Sequence, residues 1–359
     1  MKAVKRPKAY VKSLRAGSLA VMALFAGILS NSAAACSFHT YKPVRTLVDK
    51  ILESETLVLA RQSQNNALRF KIANVLQGTA HSEPIPFLVD TATRRRLSTN
   101  AHDGVLLSLD GQGTWRYLSY VDQNWQDLLK MVMRQAPMWR EEAHHPNRFE
   151  ALSTYLNHKD PRLHYLALQE IDRVPYETLR TLRVSVPAET LLEALGSWRD
   201  AQYVPINLLL LGLSNAPEAG PFLRQQVDRL HQSSTPGSLG AAATALIEVD
   251  GENGIKHLSR LFLSGQDQPI AKVAAVVEAM AIHSNLGSDH LQRTIEETLV
   301  GFVRNRPAGA ATVARQFSLQ RNWSIGPHLE AMMEDALHIT PAARLQVAIY
   351  VAQSKAGSR

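Results

Sequence analysis

Six of the eleven prolines in the last two hundred residues are each followed by a stretch in which the chain turns apolar. The segments are KDPRLHYLALQEI at Pro161, YVPINLLLLGL at Pro205, STPGSLGAAATALIEV at Pro236, DQPIAKVAAVVEAMA at Pro269, NRPAGAATVARQF at Pro307 and ITPAARLQVAIYVA at Pro341. Successive prolines lie 44, 31, 33, 38 and 34 residues apart. Proline fits the first turn of a helix, where its missing N–H breaks no bond. It also drives the preceding residue out of the helical region, so it separates helices cleanly. Between these segments, AETLLEALGSW, GPFLRQQVDRLH, GIKHLSRLFLS and LQRTIEETLVGFV read as partner helices. One helical hairpin cannot bury both of its faces, so neighbouring hairpins must stack. The spacing predicts a helical-hairpin repeat with a period of roughly 30–45 residues. It would run over 141–354, with 355–359 left as a tail.

Within the first of these segments, Asp160-Pro161-Arg162-Leu163 is followed by Ala167 and Ile171. This resembles the HEAT-repeat consensus, an aspartate-proline turn that opens a helix with aliphatic and alanine core positions. His164 stands where that consensus often has arginine. The resemblance implies an ARM-type α-solenoid, a fold that offers an extended curved surface to a protein or peptide partner.

The other end of the chain reads as an address. Residues 1–15 hold six basic residues and no acid, and GSLAVMALFAGILS follows as an apolar run of 14. That run is too short to span a bilayer comfortably. With Ala33-Ala34-Ala35 behind it, it matches a secretory signal peptide over 1–35. Removing that segment takes the basic and acidic totals from 39 and 32 to 33 and 32. The mature chain is therefore nearly neutral and presents no case for nucleic-acid binding.

The only cysteine, Cys36, would then be the first mature residue. Two fates are open to it. An acylated cysteine would anchor the protein at a membrane surface, as in bacterial lipoproteins, whose signal this one partly matches. An ordinary cut would leave a free thiol that can pair between chains in an oxidising compartment. Cys36 and His39 together are a two-residue metal candidate. No internal disulfide is available, and a chain of this length does not need one to build a core.

Between the address and the helices, the periodicity changes to two. KPVRTLVDKILE, residues 42–53, has helical spacing, with Pro43 suited to a first turn. ETLVLARQ, the run around Leu68–Ile72, the Ile85-Phe87-Val89 alternation, GVLLSL and TWRYLSYV are five strand candidates between 55 and 121. Asp110-Gly111-Gln112-Gly113 supplies a tight reversal. The fold class expected is α+β: a small helix-plus-antiparallel-sheet domain over 36–140, closed in part as a barrel, then the all-α solenoid. Asp122 reads as the cap of a helix carrying Trp125, Leu128, Leu129, Val132 and Met133. EEAHHPNRF, residues 141–149, reads as a polar linker at the domain boundary.

The order helix, ETLVLARQ, LRFKIANVLQG is similar to the start of netrin-like or tissue-inhibitor-of-metalloproteinase-like domains. That similarity implies a barrel of the oligonucleotide-binding type. In the inhibitors an N-terminal cysteine chelates the target's zinc, a role only Cys36 can fill here. The inhibitors pin that cysteine with a disulfide, and this chain has no second cysteine.

Arg94-Arg95-Arg96, with His102 nearby, is a candidate for gripping an anionic head group or glycan, or else a solvated loop. Trp115, Tyr117 and Tyr120 are candidates for stacking on a sugar, or else core packing. His144 and His145 are adjacent and cannot share one helix face. The chain contains no H-E-x-x-H, G-x-S-x-G, phosphate-loop or dinucleotide fingerprint. The expectation is an exported envelope scaffold that binds a protein or peptide, without catalysis or cofactor. The alternative is a ligand- or metalloprotease-binding module acting through the N-terminal domain.

Overall fold

Thr46 and Asp49 open the first helix with a reciprocal capping box. Each side chain accepts a hydrogen bond from the other's backbone N–H. In the computed structural model, which describes residues 45–357 apart from 80–83, 183, 185, 266–267 and 335–338, this helix is α1, Leu47–Glu53. It starts later than expected, with Thr46 as its cap; Pro43 lies outside the described residues.

Four strands follow: β1 (Thr56–Gln62), β2 (Phe70–Gln77), β3 (Gly104–Leu109) and β4 (Trp115–Val121). They form one antiparallel sheet in the order β2-β1-β3-β4. Val58 pairs with Leu107, and Val105 with Tyr120. Asp110 builds the β3–β4 turn by accepting from the N–H groups of Gln112 and Thr114, while Gly113 takes φ 77°.

The sheet is open, so the expected barrel is corrected. β2 and β4 are its two edges. The fifth candidate, Ile85 to Val89, makes a single bridge from Leu88 to Arg69 rather than a ladder. Pro84 and Pro86 carry no N–H for a ladder. Coverage replaces closure. One face of the central strands, with Leu57 and Leu106, packs on α1 and on α3 (Gln123–Glu141). The other, with Val58, Ala60, Val105 and Leu107, packs on Ile85, Val89 and Leu97. Leu97 belongs to α2, Thr91–Thr99. Burial on both faces explains why β3 reads as a continuous apolar run.

The polar stretch at 141–149 is exposed over 141–144 but buried at its end. It runs into α4, Pro146–Ser153, whose Arg148 and Phe149 are each 1% exposed. The apolar cluster of the sheet's first face continues through Trp125 and Trp139 to Leu152 in α4, and to Leu163 and Leu166 in α5, Pro161–Ile171.

From here the protein is helical and repeat-like. The remaining helices are α6 (Tyr176–Thr181), α7 (Ala188–Gly196), α8 (Val204–Leu213), α9 (Ala219–Gln232), α10 (Leu239–Asp250), α11 (Glu252–Leu258), α12 (Ile270–Leu286), α13 (Asp289–Asn305), α14 (Ala310–Leu319), α15 (Gly326–Glu334) and α16 (Pro341–Gly357). All six prolines stand at helix starts. Asp160 caps α5 with Pro161 in its first turn. Pro205 lies in the first turn of α8, Pro236 two residues before the cap of α10, Pro269 at the cap of α12, and Pro341 at the head of α16. Pro307 opens a short 3-10 turn ahead of α14.

Helices α8, α10, α12, α14 and α16 pack each against the next. Helices α7, α9, α13 and α15 lie against members of this row. The row's composition follows from its position. In α8 and α10, residues around the whole circumference are buried, while α9 and α13 bury one stripe each. Small residues set the spacing: a Cβ added to Gly212 of α8 would lie 2.8 Å from the Ala245 Cβ of α10.

Candidate functional site

Two of the polar clusters among the described residues differ in what they can do. The first is buried at the meeting of α1, α4 and α5. Arg148 Nη2 lies 2.7 Å from Asp49 Oδ1 and 2.8 Å from Glu170 Oε2, and Glu170 is wholly buried. Arg173 holds the other oxygen of Asp49 at 2.6 Å, and the Thr46 hydroxyl donates to Glu170. Burial pushes the Asp49 carboxyl up, but the Arg148 and Arg173 guanidiniums and the Thr46 N–H outweigh it and hold it below its usual value. Every charge here has a partner within the chain. The cluster therefore joins the helix before the sheet to the helices after it, and no ligand is needed to complete it.

The second cluster borders a surface depression of about 650 Å³, lined by Glu177, Arg180 and Thr181, the ends of α8 and α10, and Leu286. Arg180 grips Glu248 through Nε and Nη2 and donates from Nη1 to the Leu286 carbonyl at 3.2 Å, at the C-terminus of α12. The Tyr176 hydroxyl donates to Glu248 at 2.9 Å. Burial, and then the neighbouring carboxylate, push the Tyr176 hydroxyl far up, so it stays a donor. Behind it, His283 is 2% exposed and lies 2.9 Å from the Thr244 carbonyl through Nε2. A carbonyl only accepts, so Nε2 carries the proton. Nδ1 then faces Glu248 at 3.9 Å. Burial lowers the affinity of this ring for a second proton.

Two more depressions continue the first along the C-terminal ends of the same row. The next, of about 800 Å³, begins at Ser284 and Asn285, beside Leu286, and includes Asp289, Arg293, Glu296, Arg321 and Trp323. Arg321 and Trp323 also line a third of about 460 Å³, together with Leu319, Gln346 and Gln353. Asn322 fastens the floor by donating to Ser284 Oγ and Asn285 Oδ1. The residues that turn the chain here are unusual: Asn215 and Arg321 hold φ of 55° and 51°, which non-glycine residues rarely adopt.

The arrangement suits binding better than bond-making. Arg180 and Glu248 neutralise each other as an ion pair, and His283 lies behind the surface. Among the described residues no group of three or more His, Cys, Asp or Glu is placed to hold a metal ion. Among the same residues no helix is long and apolar enough to cross a membrane.

The residues singled out from the sequence fall elsewhere. Cys36 and His39 lie outside the described residues. Arg94, Arg95 and Arg96 stand on α2, not on a loop. Consecutive helical positions point about 100° apart, so the three do not converge. Arg96 lies 3.6 Å above the Tyr120 ring and 3.9 Å from Asp122. Trp115 and Tyr120 are buried, Tyr120 donating to Asp103 at 2.7 Å, and only Tyr117 is open. Trp115 and Tyr120 pack one face of the sheet, so the three rings do not form a shared platform. His145 accepts from the Asn147 N–H at the start of α4. Arg180, Glu248 and Arg321 were missed because they are separated by scores of residues. The one signal that pointed to them was the proline period, which fixes where each helix must end.

Comparison with protein-family models, with curated proteins and with solved structures finds no significant match.

Proposed function

We propose that this chain is a non-catalytic interaction scaffold. On this reading the helices from α4 onward form a HEAT-like α-solenoid, and the run of depressions along the C-terminal ends of α8, α10, α12 and α14 receives a polypeptide partner. The observation that carries the reading is the continuity of that run: each depression adjoins or shares residues with the next. A stacked row repeats its end chemistry at each step, and a repeated surface suits an extended ligand. The partner class is an extended peptide or protein segment, met by arginine, carboxylate, side-chain amide and one tryptophan ring.

The signal-like first 35 residues support placing this scaffold outside the cytoplasm, held at the envelope through Cys36 or released from it. Intact mass of the N-terminal peptide tests that part. A fragment beginning at Cys36, acylated or free, is expected; a chain still beginning at Met1 in the exported fraction overturns it.

Charge reversal tests the scaffold. Arg293→Glu and Arg321→Glu in the groove are compared with Arg229→Glu on α9, using the captured set of envelope proteins. Selective loss with the groove variants is expected. Loss that ignores position on the surface rules the reading out.

A further inference from the structure

The last member of the row, α16, is apolar on two faces. Val347, Tyr350 and Val351 are buried, and the helix packs against α14 and α15. Away from that core, Ala342, Leu345, Ile349, Ala352 and Ala356 are all exposed, Leu345 by 63% and Ile349 by 44%. Their spacing alternates three and four, which is the a/d seam of a two-helix coiled coil. Helices α10, α12 and α14 each pack between two members of the row, whereas α16 meets α14 alone.

We propose that this seam pairs antiparallel with the same seam of a second copy. In an antiparallel pair each a position faces a d position. Setting Ile349 against the partner's Ala352 also sets Leu345 against the partner's Ala356, and symmetry repeats both. Four layers then each match one large side chain to one small one, the interdigitation a packed seam requires. A parallel pair would set leucine on leucine, isoleucine on isoleucine and alanine on alanine, with gaps between the alanines. The flanks agree with self-pairing. Gln346 and Gln353 border the seam without charge, and Lys355 is held by Glu330 of its own chain. No like charges oppose each other when two identical seams meet.

The occupant is therefore a copy rather than an unrelated helix, because the large–small order is complementary to its own reverse. The paired stretch, residues 345–356, spans roughly 17 Å at 1.5 Å per residue. That length places the contact in the small, transient class, so the dimer forms in proportion to concentration. Pairing in this way would join two rows end to end, and it does not depend on the scaffold reading above.

Sedimentation velocity of the purified protein tests this, with Cys36→Ser so that no other thiol joins chains. The average mass should rise toward the dimer between about 5 and 500 µM, a range that brackets micromolar to weak association. Leu345→Glu and Ile349→Glu should hold the protein monomeric with unchanged helical circular dichroism, because both side chains are exposed. Register is tested by oxidising Ile349→Cys and Ala352→Cys variants, alone and mixed. The mixture should give a disulfide-linked heterodimer in several-fold excess over either variant alone. A monomer throughout the range overturns the proposal, as does a dimer indifferent to Ile349→Glu. Cross-linking of Ile349→Cys alone as fast as the mixture would show a different pairing and overturn it too.

Discussion

Removing the Arg148 guanidinium should cost more stability than any change in the surface groove. The side chain is 1% exposed and is the direct ion-pair partner of Glu170, which is wholly buried. Arg148→Met keeps most of the volume and removes the charge. Asp49 then retains Arg173, but Glu170 retains only the Thr46 hydroxyl. Breaking one side of a buried pair costs about 3–5 kcal/mol, because a charge is left without compensation. Domains are stable by only about 5–15 kcal/mol, so this is a large share. At this chain length it corresponds to a fall in Tm of roughly 5–10 °C.

Adding Glu170→Gln to Arg148→Met should recover a substantial part of that loss, since the orphaned charge is gone. The recovery is the diagnostic outcome, as loss of packing alone would not be reversed by a second substitution. Acid provides a second readout. The Asp49 pKa is depressed in the folded protein, so its stabilisation is complete above the unfolded carboxyl pKa and is lost as pH falls through the folded one. Arg148→Met should weaken that acid dependence. Urea unfolding followed by tryptophan fluorescence and by circular dichroism is the assay. A cost below about 1 kcal/mol, or a double variant as unstable as the two single losses added, would refute the reasoning.

Three further outcomes follow from the same architecture. Gly212→Val should destabilise by about 1–3 kcal/mol, because its Cβ would meet both the Cα and the Cβ of Ala245 within 2.9 Å; chemical denaturation measures it. His283→Gln should flatten the fall in stability below neutral pH. The buried ring resists its second proton, so wild-type stability is full above the unfolded histidine pKa and declines as pH drops from there toward the folded value; Tm measured from pH 7.5 to 5 checks this. Arg321→Gly should raise stability by about 1 kcal/mol by relieving its φ of 51°, yet weaken partner capture because the guanidinium is gone.

Much of the secondary structure was legible along the chain, and for local reasons. The proline period located the helix starts, and Asp122 and Asp160 cap their helices through their own side chains. Short apolar runs and period-two alternation located β1 to β4. The barrel was misjudged because alternation shows that a strand has a buried face, not what covers it. Here helices and the 84–89 segment provide the cover, and two edges remain open. Arg148 was hidden inside a polar stretch whose composition reads as a linker. A sequence window cannot show that Asp49 and Glu170 arrive from 99 and 22 residues away to hold it.

The sequence by itself determined where the proline-led helices begin and which strands pair across the Asp110 turn. Those are short-range consequences of backbone sterics, capping and side-chain period, and each is written within a few turns of chain. Only the tertiary structure decided that the sheet stays open, that Arg148 is core, that Arg180, Glu248 and Arg321 line one edge, and that Leu345 and Ile349 of α16 are exposed. Each of these depends on groups brought together from distant parts of the chain, and their energies come from burial and charge pairing that no local pattern encodes.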